Sequence, residues 1–162
     1  MMASVWTQIR EEVFLRLGNI SKANGYSTDL ATIEKGRVSP FDDDDLPGVN
    51  FWKTDDSSDG KLYSRQQRTL RMGFEMYTLS NDDDIDIISD EFMSDLFTAL
   101  YRDPKAPLTT DDPLPMFATK QFVTGFDLLR PIISQVSVPR LGVFAILSFT
   151  YTINNAQPNV LL

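Results

Sequence analysis

The chain is 162 residues long, with 15 basic and 23 acidic side chains, a formal charge of -8, no cysteine and no histidine. That length builds one good core rather than two domains, and the acidic balance disfavours a general nucleic-acid surface, which needs basic side chains to neutralise phosphates. The missing residue types remove disulfide and thiolate chemistry, the usual general base near neutral pH and the commonest metal-ligating side chain.

In chain order, Ser4 caps a first helix whose apolar stripe is Val5, Ile9, Val13 and Leu17, widened by Trp6, Phe14 and Ile20. Glu11 and Glu12 are expected to face water, Trp6 to anchor a core or an interface, and Gly18-Asn19 to stop the helix. The opening residues run straight into this amphipathic pattern, not into the basic segment and apolar core of a secretory signal. No apolar run reaches membrane-spanning length.

Asn24-Gly25 reads as a turn, and TDLATIEKGR as a weak strand ended by Pro40. Four consecutive carboxylates follow, Asp42, Asp43, Asp44 and Asp45, bracketed by Phe41 and Leu46. Their adjacency lacks the alternate-position ligands and central glycine of a calcium loop. The reading is a solvated acidic loop, or one that docks on a basic patch of a partner. VNFW is then a short second strand, and KTDDSSDGK has the composition of a polar break.

The stretch Ser64–Ser80 is the expected centre of the sheet. Leu70, Met72, Phe74 and Met76 alternate with Arg71, Gly73, Glu75 and Tyr77, which gives an extended strand one apolar face. The same alternation puts Arg65 and Arg71 on one face and Arg68 on the other. Salt bridges from these arginines to the Asp42–Asp45 loop of another subunit are one functional reading, solvated edge charge the other.

Asp82, Asp83 and Asp84 place negative charge before a second helix. Its buried stripe is Ile85, Ile88, Phe92, Leu96, Ala99 and Leu100, with Asp86, Asp90, Glu91 and Asp95 on a solvated remainder. A Pro-rich linker spans 101–116. FATKQFVTGFDLL reads as a strand with an irregularity near Gly125, which Ile132–Val138 either extends or follows as a loop. GVFAILSFTYTI reads as a strong strand, apolar on both faces at its start, so Phe144 and Ile146 are expected beneath a helix or a neighbouring subunit. The tail 154–162 is expected either to be disordered or to dock on a partner.

The predicted fold is therefore α+β: a single mixed or antiparallel sheet with two main helices on one face, in the order α-β-β-β-α-β-β, as one assembly domain over 1–162. No GxSxG elbow, Walker A sequence or dinucleotide fingerprint is present. A carboxylate-dependent metal hydrolase is the alternative from another class, and it would require acids converging in a cleft.

The succession VWTQIREEVFLRL, TDLATIEKGR, FDDDDLPGVNFW, RTLRMGFEMYTL, IISDEFMSDLFTAL and SFTYTI resembles the tail terminator (tail completion) proteins of long-tailed bacteriophages, and more loosely their neck, head–tail connector and minor tail proteins. The resemblance spans nearly the whole chain in order and texture and contains no diagnostic motif. It implies a structural virion protein, not an enzyme, that assembles in the host cytoplasm and sits at the head-proximal end of the tail. Its partners would be further copies in a hexameric ring, the tail tube protein and a head-completion or neck protein. DNA would pass through the ring without specific binding, and no cofactor, metal, membrane or catalytic residue is implied. The candidate contact residues are Asp42, Asp43, Asp44, Asp45, Arg65, Arg68, Arg71, Phe144 and Ile146. The region 115–141 is longer and more apolar than a closing hairpin requires.

Overall fold

A computed structural model describes residues 4–62, 64–79, 85–101, 126–134 and 140–161. Helix α1 (Val5–Leu17) starts where the sequence places it, with the Ser4 hydroxyl accepting the Thr7 N–H at 3.2 Å and Gly18 at its C-cap. Its 3.6-residue period buries Val5, Ile9, Val13 and Leu17. Glu11 faces solvent, as expected. Glu12 instead accepts from Arg16 Nε at 2.9 Å, and Arg16, almost fully buried, reaches the Leu100 carbonyl through Nη1 at 3.4 Å. That contact ties the end of α1 to the end of the second helix.

Strand β1 (Thr32–Lys35) is shorter than the sequence suggests, because Gly36 turns the chain at φ 74° before Pro40 is reached. It pairs in parallel with β2 (Gly48–Leu62), entered through a cis Leu46-Pro47 bond. Strand β3 (Arg65–Leu79) is central, as predicted. The sheet order is β1-β2-β3-β5-β4, with β4 (Phe126–Ser134) and β6 (Gln157–Leu161) both on β5 (Arg140–Asn154). Every pairing except β1–β2 is antiparallel, so the sheet is mixed.

Helix α2 (Ile85–Tyr101) packs beside α1 on one face of this sheet. Beneath them lie Val49, Phe51, Leu70, Met72, Phe74, Met76, Val143, Ala145 and Leu147, all buried and all of one alternation along β2, β3 and β5. Phe92, Leu96, Ala99 and Leu100 complete the core from α2. The α+β class and the element order stand as predicted, with β6 added.

Three further expectations need correction. KTDDSSDGK is not a break: β2 runs through it, opposite β3 as far as Leu62↔Arg65, with irregularities between Lys53 and Asp55 and between Ser58 and Gly60. Asp, Ser and Gly are poor strand formers, but cross-strand partners override propensity here. Arg68 Nε and the Tyr151 hydroxyl both donate to Asp56, and Gln66 donates to Ser58.

Asp95 is not on a solvated face. It is buried and accepts the Ser27 and Thr28 N–H groups at 3.0 and 2.8 Å. The tail is not disordered over 157–161, where β6 folds back on β5 within the chain. The expectations for Asp82–Asp84, the linker beyond Tyr101 and the strand over 117–125 lie outside the described residues.

Candidate functional site

The helices cover one face of the sheet and leave the other open among the described residues. Strand alternation fixes what the open face displays. Reading across β2, β3 and β5, the rows are Gly48–Tyr77–Gly142, Asn50–Glu75–Phe144, Trp52–Gly73–Ile146 and Asp55–Arg71–Ser148, followed by Ser57–Thr69 on β2 and β3.

The first two rows lie against the chain's own acidic loop. Asn50 acts as a side-chain clamp: its Oδ1 accepts the Arg37 N–H at 2.8 Å, and its Nδ2 donates to the Arg37 carbonyl and to Glu75, both at 2.9 Å. The Arg37 guanidinium then organises the loop from within. It donates to the carbonyls of Ser39 and Pro40, lies 3.4 Å from Asp45 and stacks over the Phe41 ring at 4.7 Å. Phe41 is buried against Tyr77, with ring centroids 6.2 Å apart. Burial, reinforced by the Glu75 carboxylate, raises the Tyr77 phenol above its ordinary pKa. The loop over 36–47 is thus a fixed part of the molecule. It leaves Val38 fully exposed and Asp42, Asp43 and Asp44 turned to solvent.

The middle of the face is apolar. Trp52 packs on Phe144 with ring centroids 5.6 Å apart, and the indole lies across Gly73. Phe144 and Ile146 are only partly buried, so the expected cover from a helix is not supplied by α1 or α2. A Cβ on Gly73 would sit 2.7 Å from Cε2 and Cζ2 of Trp52, closer than real contacts allow. Gly73→Val is therefore expected to eject the indole and cost about 1–3 kcal/mol. In a Trp6→Phe background, where Trp52 is the remaining tryptophan, its emission should shift to the red.

The arginines separate. Arg71 and Arg65 share the open face, six residues and so roughly 20 Å apart along β3. Arg71 is 58% exposed, and its 3.8 Å approach to the half-exposed Asp55 is too loose and too solvated to hold it. Arg68 points to the helix side, where it meets Asp56 at 2.9 Å beside Tyr151. Burial, then the hydrogen bond to Asp56, pushes the Tyr151 phenol far above its usual range, so it stays a donor.

Of the nine residues singled out from sequence, the structure brings Arg71, Phe144 and Ile146 together and puts Arg65 farther along the same face. Asp42–Asp44 stand at the other end of that face, while Asp45 and Arg68 are engaged inside their own chain. Sequence reasoning missed Trp52 and Gly73 as the centre of the patch, Arg37 and Val38 in the loop, and Asn50 on β2, which grips it. The local signal for Gly73 was its alternation with Arg71 along one strand; Trp52 joins them only through the β2–β3 register.

The buried and half-buried carboxylates described in this chain each have a partner. Asp45 meets Arg37, Asp56 meets Arg68 and Tyr151, and Asp95 caps two backbone amides. Among the described residues no three or more metal-ligating side chains are grouped to hold an ion. No protein-family model matches the chain, and no curated protein matches it.

Proposed function

We propose that this chain is a structural assembly subunit of the phage tail-terminator kind, which forms a closed ring, caps the tail tube and offers the head or neck a joining surface. The observation that carries the reading is the sheet face over which, among the described residues, no helix lies: Trp52, Phe144 and Ile146 are partly exposed at its centre. An apolar patch rimmed by charge is a surface that another protein covers. Its two ends carry opposite charge, Asp42–Asp44 at one and Arg71 and Arg65 at the other. Unlike ends on one molecule suit a head-to-tail contact, and repeating such a contact closes a ring when the rotation allows. The overall acidity suits a passage for DNA that does not hold it.

The test is the mass of the purified protein by light scattering over a concentration series at two salt levels, followed by addition of purified tail tubes or necks. A discrete six-subunit species that caps tubes and stops their growth is the expected result. A neck or connector subunit would form a ring that binds necks and leaves tube ends growing. A persistent monomer that binds neither overturns the assembly reading.

A further inference from the structure

The proposed ring leaves open which surfaces join successive copies, and the sheet argues against its own edges. Among the described residues, each of the four strands with a free edge is blunted against strand addition. Strand β1 has four residues and carries Glu34 and Lys35. The outer part of β2 has two register irregularities and the charged pair Lys53 and Asp55. Strand β4 has an irregularity between Leu129 and Ile132 that contains Pro131, which has no N–H to donate. Strand β6 is five residues long and contains Pro158. Short length, charge, bulges and proline are the means by which sheets avoid edge-to-edge pairing.

The loop and the open face, by contrast, complement each other. The loop over 36–47 presents Val38 with its side chain wholly in water, next to the exposed carboxylates of Asp42, Asp43 and Asp44. The face presents an apolar centre of Trp52, Phe144 and Ile146, one row from the loosely held Arg71, with Arg65 beyond it. The loop needs no ordering before it binds, because Arg37, Asn50 and Phe41 already fix it. On its own sheet the loop covers the Tyr77 end, while Trp52, Phe144 and Ile146 at the centre stay partly exposed.

Building on the ring reading, we infer that the loop over 36–47 of one copy seats on the open sheet face of the next, with Val38 against Trp52, Phe144 and Ile146 and Asp42–Asp44 opposite Arg71 and Arg65. The occupant is a second copy of this chain, and the contact is heterologous.

The experiment compares the full chain with Val38→Asp, with Arg65→Asp/Arg71→Asp, and with those reversals combined with Asp42→Lys/Asp43→Lys/Asp44→Lys, by light scattering and backbone amide exchange. All the substituted side chains are solvent-exposed in the monomer, so folding should survive. Val38→Asp and the arginine reversal should each weaken assembly about tenfold or more, and the combined charge swap should restore it. Assembly that is indifferent to all three variants, with new amide protection along 53–58 or 126–134, overturns this contact while leaving the ring intact. A wild-type chain that stays monomeric and ignores tubes and necks overturns the ring reading along with it.

Discussion

Phe74→Ala is expected to lower the free energy of unfolding by about 3–5 kcal/mol, read from a shift in the denaturation midpoint at unchanged slope. Phe74 sits at the middle of β3 with no exposed surface, opposite Phe51 on β2 and Ala145 on β5. Its ring stacks on that of Phe51 at 5.8 Å and 16°. The small Ala145 has no bulk to move into the vacated space, and hydrogen bonding on both sides of β3 keeps the strands apart. The cavity therefore persists, and lost dispersion adds to lost transfer energy. Phe74→Leu refills most of the volume and should cost much less. If the alanine variant loses under 1 kcal/mol, the two-helix layer does not close on β3 as described.

Asp95→Ala should cost about 2–3 kcal/mol, because two charge-assisted hydrogen bonds to backbone amides disappear at once. The carboxylate accepts from Ser27 and Thr28 and so holds the connection between α1 and β1 against the middle of α2. Ser27 is exposed and Thr28 half-buried, so water partly replaces the lost acceptor and keeps the cost below that of a fully buried orphan. Asp95→Asn retains one acceptor oxygen and should fall between the two. Amide exchange at Ser27 and Thr28 should accelerate in both variants while exchange along β3 keeps its rank order. Unchanged exchange at those two amides would falsify the clamp.

The legible parts of the sequence were those whose period repeats for several turns or pairs. Leu70 to Met76 gave a strand, Phe92 to Leu100 a helix, and Val143 to Leu147 the third wall of the core, because each pattern is set by burial on one side. The outer half of β2 was illegible for the opposite reason. Its Asp and Ser residues carry no periodic burial, and what keeps them extended is Arg68, Tyr151 and the whole of β3. Asp95 looked like one acid among four on a helix, and only a loop 67 residues away distinguishes it. The same holds at the candidate site. Phe144 and Ile146 were visible as apolar residues on the wrong face, whereas Arg37 is indistinguishable from a solvated arginine until Asn50 grips its backbone.

The pairing of β3 with β5 has a consequence for how the chain reaches this state. Arg65 meets Asn154 and Leu79 meets Arg140, so the central contacts join residues roughly sixty to ninety positions apart, while β2 and β3 are near neighbours in sequence, paired from Leu62↔Arg65 onward. During synthesis the hairpin and α1 can form early, but β3 then waits with one side unpaired until the last quarter of the chain has emerged. Closing loops of that length is slow, and in that interval Leu70, Met72 and Phe74 lack the strand that completes their cover. The refolding rate should therefore respond most strongly to substitutions along Val143–Leu147, where the late strand must find its place.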